Sequence, residues 1–186
     1  MAESVCPVWV GHILASPFRK LIQNPERILE PYLKNGMMVL DIGSAMGFFS
    51  LPMAKMVSPN GRVICVDMQE NMLTGLKKRA SKAGVLDNIQ TVTCNQSSLN
   101  IDKFKEKIDF ALLFAVLHEI PDQQSCLKQI SSALKPGSKI LFAEPSGHVE
   151  ETAFEKSLVI MEQNNLHIIE HLKIKSSYGV IGQKVK

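Results

Sequence analysis

The sequence has little of what marks several classes of protein. Only four cysteines occur in 186 residues, and none forms a Cys-x-x-Cys pair, so neither a disulfide framework nor a zinc knuckle is expected. Lysine and arginine number 21 against 18 acidic residues, and a net charge of +3 gives no electrostatic reason to expect a nucleic-acid or membrane-surface partner. The longest apolar runs, such as residues 110–117, are far shorter than the roughly 20 residues that span a bilayer.

The N-terminal residues also lack a basic stretch followed by an apolar one, which is the pattern of a secretory signal. We therefore expect a cytoplasmic protein with reduced thiols. No internal repeat or low-complexity segment is present. With 45% hydrophobic and 21% charged residues, the composition is typical of a globular protein, and the length predicts a single domain over residues 1–186.

Short apolar runs alternate with helical patterns along most of the chain. Strands are predicted at 37–42, 62–66, 89–94, 108–116 and 139–143. Helices are predicted at 48–57, 70–83, 122–134 and 151–164. The last two predicted strands, 166–175 and 178–185, have only two residues between them, which requires an antiparallel hairpin. The pattern predicts an α/β fold with a doubly wound, mostly parallel sheet of seven strands over residues 36–186.

A turn with two glycines follows the first predicted strand and leads into a helix. Gly43 and Gly47 let the backbone approach a ligand, and the helix N-terminus behind them offers free N–H groups to an anion. The spacing Gly-x-Ala-x-Gly differs from the Gly-x-Gly-x-x-Gly of dinucleotide sites. Asp41, just before the turn, would repel a pyrophosphate but attract an ammonium or sulfonium group. The turn therefore favours an amino-acid-like ligand.

Asp67 ends the second predicted strand, where a carboxylate can accept hydrogen bonds from both hydroxyls of a ribose. A ligand that combines a ribose with a carboxylate, an ammonium and a sulfonium is S-adenosylmethionine. We therefore expect this cofactor at the carboxyl ends of the first strands.

Residues 39–47, VLDIGSAMG, resemble the first motif of the class I S-adenosylmethionine-dependent methyltransferases. The resemblance continues at 63–67, 109–119 and 134–137, and the C-terminal hairpin has the topology of that family, with strand seven beside strand five. It covers roughly residues 36–186 and is closest to small methyltransferase-domain and ubiquinone/menaquinone-type enzymes. It implies a Rossmann-like fold and transfer of a methyl group from S-adenosylmethionine to a small-molecule acceptor.

The resemblance also implies which residues contact the cofactor. The methionine end would lie against the turn, the ribose against the acid of the second strand, and the adenine between the residue after that acid and an amide that follows the third strand. The expected contacts are Asp41, Gly43, Ser44, Ala45, Gly47, Asp67, Met68, and Asn95 or Gln96. Ala45 stands where the family usually has glycine, and it is tolerated only if the backbone there keeps a negative φ.

Four polar residues follow predicted strands four and five: His118, Glu119, Glu144 and His148. Because these strand ends are neighbours, the side chains are expected to converge on one pocket as the catalytic group. His118 acts as a general base, only orients the acceptor, or joins the other three in a metal site. Alternatively, His118 and Glu119 cap the helix that follows. We predict no bound metal.

The first 35 residues form a segment of different character, with four prolines, the only tryptophan and two short predicted helices at 18–22 and 25–33. By analogy with related enzymes we expect a lid whose inner face carries Trp9, His12, Phe18 and Tyr32. A helix packed on the sheet edge is the alternative. The sequence predicts no particular oligomeric state.

Two other functions use the same fold. A nicotinamide-dependent reductase is disfavoured by the glycine spacing and by the lack of a Tyr-x-x-x-Lys pair. A protein that binds S-adenosylmethionine without catalysis stays open, because Ala45 and the missing acid after the third strand depart from the family pattern.

Overall fold

The computed structural model describes residues 23–185. Its strands are β1 (Met38–Ile42), β2 (Arg62–Asp67), β3 (Ile89–Thr93), β4 (Ile108–Phe114), β5 (Leu134–Pro145), β6 (Leu166–His171) and β7 (Ser177–Lys184). They form one seven-stranded sheet in the order β3-β2-β1-β4-β5-β7-β6. The first five strands are parallel, whereas β7 runs antiparallel between β5 and β6. This confirms the predicted α/β fold and its antiparallel C-terminal strands.

The helices cover both faces of the sheet. They are α1 (Pro25–Leu29), α2 (Ser50–Val57), α3 (Glu70–Lys82), α4 (Gln123–Ala133) and α5 (Glu151–Gln163). Because side chains alternate along a strand, Leu40 and Ile64 pack on the face of α4 and α5. Val39 and Val63 pack on the face of α1, α2 and α3. Both faces of the central strands are therefore buried, which explains their continuous apolar sequence.

Three boundaries differ from the prediction by four residues or more. Helix α1 ends at Leu29 instead of continuing to 33. Strand β5 begins at Leu134, because this residue pairs with Ile108 of β4, and Lys184 of β7 donates to the Leu134 carbonyl oxygen at 2.7 Å. The connection between β6 and β7 spans residues 172–176. Long-range pairing, rather than local turn signals, sets these ends.

Tyr32 lies at the amino ends of the central strands. Its ring stacks on Phe110 with centroids 5.7 Å apart, and the Lys139 ammonium is 5.9 Å from the ring centre. Phe110 and Lys139 are paired in the first halves of β4 and β5. Ligands of such sheets bind at the opposite edge, so the expectation that Tyr32 faces the ligand is wrong.

The other residues expected in the lid, namely Trp9, His12 and Phe18, lie outside the described residues. Gln23 is the first described residue, and its side-chain amide donates to the Ser177 hydroxyl at 3.0 Å. Ser177 pairs with Pro145 at the carboxyl end of β5. The described part of the chain therefore begins at the carboxyl edge of the sheet. Between residues 23 and 185, no helix is long and apolar enough to cross a membrane.

Candidate active site

Two cavities open at the carboxyl edge of the sheet. The larger has a volume of about 610 Å³ and lies beside the residues that follow β2, β3 and β4. The smaller, of about 240 Å³, lies over the turn after β1 and reaches Phe114 and Pro145. They share Gly43, Ala45, Ala115, His118, Glu119 and His148. The larger volume is in the range of small-molecule sites, and the shared wall makes the two cavities parts of one site.

The turn after β1 brings its backbone against the cavities. The N–H groups of Gly43 and Ser44 donate to the Val66 carbonyl oxygen at 2.9 and 3.0 Å. Gly43 has φ +71°, and a Cβ atom there would be 2.5 Å from Cγ2 of Val116. Gly47 has φ +82°. Glycine is therefore required at Gly43, both for the left-handed backbone and for the close approach of β1 to the segment after β4.

An alanine at position 45 was expected to need a negative φ, but Ala45 has φ +44°. A left-handed conformation is unfavourable for an L-residue with a Cβ atom. The Ala45 N–H donates to Oδ2 of Asp67 at 2.8 Å, and this bond holds the turn in place.

Asp67 connects the turn to the N-terminus of α3. While Oδ2 binds Ala45, Oδ1 accepts from the N–H of Gln69 at 2.9 Å. Burial raises the pKa of Asp67, and the backbone N–H groups partly offset this. A carboxylate has about four lone-pair sites, so two remain for the hydroxyls of a ribose. Asp67 and Met68 both line the larger cavity, and Met68 is 42% exposed.

Asp41 is only 4% exposed and lines the smaller cavity. Its Oδ2 accepts from the Ser50 hydroxyl at 2.5 Å. Its pKa is raised to about 7, mainly by burial. The hydrogen bond from Ser50 opposes this rise, and the charge of Asp67 adds to it. A cation beside Asp41 would favour the ionised form. Ser50 was not predicted as part of the site, because its contact with Asp41 needs the turn and the first residue of α2 together.

The loop after β3 distinguishes between Asn95 and Gln96, the two candidates for the contact with the adenine amino group. Oδ1 of Asn95 accepts from the Ser97 N–H, the Ser97 hydroxyl and the Ser98 N–H, each at 2.9 Å. Asn95 therefore holds its own loop. Gln96 is exposed, lines the larger cavity and makes no side-chain hydrogen bond to the described residues, which leaves Gln96 as the candidate.

His118 is held by a buried carboxylate. Glu144 is 2% exposed, and its Oε2 lies 2.6 Å from Nδ1 of His118 while Oε1 accepts the His118 backbone N–H at 3.1 Å. The hydrogen bond with Glu144 raises the pKa of His118, burial lowers it, and the charges of Glu144 and Glu119 raise it. Because a carboxylate accepts hydrogen bonds, it keeps the proton of a neutral ring on Nδ1 and leaves the lone pair on Nε2.

The four predicted polar residues do converge. The rings of His118 and His148 meet edge to face with centroids 5.1 Å apart, and Oε1 of Glu119 is 3.9 Å from Nε2 of His118. Across residues 23–185, no group of three or more His, Cys, Asp or Glu side chains has an arrangement that could hold a metal ion. The alternative in which His118 and Glu119 cap α4 is wrong, since Asp122 does so by accepting from Ser125 N–H at 2.8 Å.

Sequence reasoning missed a further part of the larger cavity. Cys94, which follows β3, and the first turns of α4 with Ser125, Cys126 and Gln129 also line it. Burial raises the pKa of Cys94 to about 11 and that of Cys126 to about 12, so both thiols are protonated at neutral pH. The only available signal was that α4 begins directly after the segment that carries His118.

These features define the class of the molecule: a doubly wound α/β protein with a ligand site at the point where the strand order reverses between β1 and β4. Two solved structures have this fold. A SAM-dependent methyltransferase from Aquifex aeolicus superposes with a TM-score of 0.87 at 21% identity, over 97% of this chain and 100% of that one. A putative S-adenosyl-L-methionine-dependent methyltransferase from Methanococcus maripaludis gives 0.79 at 15% identity, over 100% and 98%.

The sequence comparisons then identify the family. A family model described as "Methyltransferase domain" matches residues 33–184, so the chain belongs to this family. The membership confirms the resemblance to class I S-adenosylmethionine-dependent methyltransferases, and S-adenosylmethionine as the cofactor. Neither of the two solved structures is named as a nicotinamide-dependent reductase.

Two curated relatives are more specific in name. The ubiquinone/menaquinone biosynthesis C-methyltransferase UbiE of Pasteurella multocida is 27% identical over 112 residues, which are 60% of this chain and 41% of that protein. The demethylmenaquinone methyltransferase of Staphylococcus saprophyticus is 32% identical over 117 residues, 63% of this chain and 48% of that protein. The chain thus spans less than half the length of these relatives.

Proposed function

We propose that the chain transfers a methyl group from S-adenosylmethionine to a small-molecule acceptor, and that the acceptor gives up a proton to His118. The observation that carries this proposal is the contact between the His118 ring and the buried carboxylate of Glu144, 2.6 Å away, in the wall shared by the two cavities. An oriented imidazole with a free Nε2 is a typical general base.

The turn after β1 fits the methionine end of the cofactor. The Ser44 hydroxyl oxygen is buried and has no hydrogen-bond partner among the described residues. Leaving such a group unpaired costs about 1–3 kcal/mol, and a ligand carboxylate would remove that cost by accepting from it. Asp41 would receive the ammonium, while Gly43, Ala45 and Gly47 supply the backbone around the carboxylate.

Residues of the larger cavity fit the nucleoside end. Asp67 has lone pairs left for the ribose, Met68 would lie against the adenine, and Gln96 would accept from the adenine amino group. When bound, the cofactor supplies an electrophilic methyl group on a sulfonium whose departure leaves a neutral thioether. The protein therefore has mainly to align the acceptor and to exclude water.

His118 would do the remaining chemistry. Glu144 fixes the ring through Nδ1 and fixes the main chain through the His118 N–H, so that Nε2 keeps one direction. Nε2 would take the proton from the acceptor, whose freed electron pair then attacks the methyl group. Glu119 and His148 would stabilise the protonated ring and contact the acceptor.

We place the acceptor in the smaller cavity and propose a quinol-type ring. Phe48, Phe49 and Phe114 line this cavity, and the rings of Phe49 and Phe114 are 4.6 Å apart. Such a wall suits a planar aromatic molecule, and the two curated relatives carry quinone-related names. A quinol hydroxyl carries a proton that the His118 imidazole would accept.

The lid predicted from the sequence falls largely on residues outside the described range 23–185 and stays a prediction. A cytoplasmic location and a function that needs no nucleic acid remain predictions from the sequence.

The test is to combine binding and turnover in matched variants. The wild type is expected to bind S-adenosylhomocysteine and to methylate a short-chain quinol. His118→Ala is expected to bind S-adenosylhomocysteine within about twofold of wild type while turnover falls about 10²–10⁴-fold, as for loss of a general base. His171→Ala, which changes an exposed histidine of β6, is the control. Normal turnover of His118→Ala would refute the role of His118, and absence of methyl transfer to every acceptor tested would favour the non-catalytic binding protein.

A further inference from the structure

The turn after β1 keeps a conformation that its own residues do not favour. Ala45 has φ +44° although it carries a Cβ atom, and left-handed residues of this kind persist only where their surroundings hold them. The Ala45 N–H is fixed from β2, by Asp67 at 2.8 Å. A second contact is needed on the C-terminal side of Ala45, at Met46 and Gly47.

Arg79 of α3 provides that contact. Its Nη1 donates to the Met46 carbonyl oxygen at 2.5 Å, and the N–H of the same peptide group, on Gly47, donates to the Ser44 carbonyl oxygen at 2.9 Å. The peptide between Met46 and Gly47 is thus held at both ends. Arg79 is half-buried, so this hydrogen bond is shielded from water and charge-assisted.

Helix α3 also receives the Met46 side chain. A Cβ atom on Gly75 would lie 3.3 Å from Cγ of Met46, so the side chain rests on the helix backbone at that position. Gly75 and Arg79 are four residues apart and share one helix face. The same face of α3 therefore packs against the side chain of Met46 and binds its carbonyl oxygen. These two contacts fix the position of the turn relative to α3.

We propose that Arg79 is a positioning residue that, together with Asp67, clamps the turn of residues 43–47 in its left-handed form and so holds the backbone of the turn and the Ser44 hydroxyl in place beside the cofactor. Asp67 binds the turn from the end of β2, and Arg79 binds it from α3, so the turn is held from two sides. Arg79 lines neither cavity, and it acts through the backbone of Met46. The link to the cofactor rests on the proposed contacts of the turn, whereas the clamp itself does not.

The clamp is tested without ligand by hydrogen–deuterium exchange of the wild type and of Arg79→Gln, Arg79→Lys, Ala45→Gly and Ala45→Gly/Arg79→Gln. Lys78→Gln, an exposed change on the same helix, is the control. Exchange of the amides of residues 43–47 is expected to be about tenfold faster in Arg79→Gln, as for one lost hydrogen bond, and less affected in Arg79→Lys, which keeps a donor. Ala45→Gly is expected to slow exchange in the Arg79→Gln protein, because glycine needs no clamp to stay left-handed.

Calorimetric titration with S-adenosylhomocysteine gives the second readout. Arg79→Gln is expected to weaken binding about tenfold, and Ala45→Gly to strengthen the binding of the Arg79→Gln protein by more than it changes the binding of the wild type. Unchanged exchange in Arg79→Gln, or an Ala45→Gly effect that is equal with and without Arg79, would overturn the clamp. If the wild type itself does not bind S-adenosylhomocysteine, the proposed function fails, and the exchange data still decide about Arg79.

Discussion

Replacing Gly43 by alanine should destabilise the fold more than the same change at Gly84, a left-handed glycine that no other atom crowds. Gly43 has φ +71°, and the new Cβ atom would be 2.5 Å from Cγ2 and 2.9 Å from Cβ of Val116. Rotation about χ1 of Val116 does not relieve the contact with its Cβ atom, because the backbone fixes that atom, and branching at Cβ also restricts χ1. Gly84 is a matched control, since it has φ +69° and no atom lies within 4 Å of the place that a new methyl group would take.

The magnitude follows from the comparison of these two glycines. At either position the left-handed backbone costs about 1–2 kcal/mol for an L-residue, and the unfolded chain loses the same freedom. Only at Gly43 is there an added cost of overpacking, about 1–3 kcal/mol. Gly43→Ala is therefore expected to lower the free energy of unfolding by about 1–3 kcal/mol more than Gly84→Ala.

Urea denaturation followed by circular dichroism measures this difference, and thermal melts should separate the two variants by about 2–12 °C. The Val116→Ala and Gly43→Ala/Val116→Ala proteins complete a double-mutant cycle. Truncating Val116 removes the contacts with Cγ1 and Cγ2 but leaves its Cβ atom 2.9 Å away, so the methyl group of residue 43 is expected to cost less than in the wild type and still more than at Gly84. Equal stability of Gly43→Ala and Gly84→Ala would refute the reasoning, as would a cycle with no coupling between residues 43 and 116.

Three further predictions concern the charged groups of the site. The pKa of Asp41 is raised from 3.8 to about 7 in the fold, so between these values the folded state holds a proton that the unfolded state has lost; stability should fall as the pH rises through this range, and by less in Asp41→Asn than in the wild type, as measured by urea denaturation at a series of pH values. The pKa of His118 is raised, mainly by Glu144; its protonated form should add stability below pH 6.5 that is lost as the pH rises through the raised value, and NMR titration should show a lower pKa in Glu144→Gln. Asp67→Ala should weaken binding of S-adenosylhomocysteine by about 2–4 kcal/mol in calorimetry, since two charge-assisted hydrogen bonds are lost, and unchanged affinity would contradict the ribose contact.

Much of the fold was predictable because buried parallel strands have a strong local signature. The observed ends of β1, β2 and β4 agree with the predicted ranges to within two residues, and the acids Asp41 and Asp67 stand at strand ends. Their approach to the turn followed from topology alone, since the carboxyl ends of parallel strands share one edge. The convergence of His118 with Glu144 followed from the same rule.

The errors arose where distant residues decide the outcome. Nothing in the sequence near Ala45 indicates a positive φ, because the contacts that hold it come from Asp67 and Arg79. Tyr32 was expected at the ligand, but its ring found Phe110 at the other end of the sheet. The acceptor capacity of Asn95 is used by the loop that contains it, a competition that appears only once the loop has closed.

The position of β7 has a consequence for how the site is made. Glu144 pairs with Tyr178 of β7, a strand that follows β6 in the chain yet lies between β6 and β5. During synthesis, β5 is therefore an unprotected border of the sheet until β7 has left the ribosome and inserted, and exposed borders invite pairing with other chains. The strand that carries the carboxylate orienting His118 therefore has β4 as its only neighbour in the sheet until β7 has been synthesised.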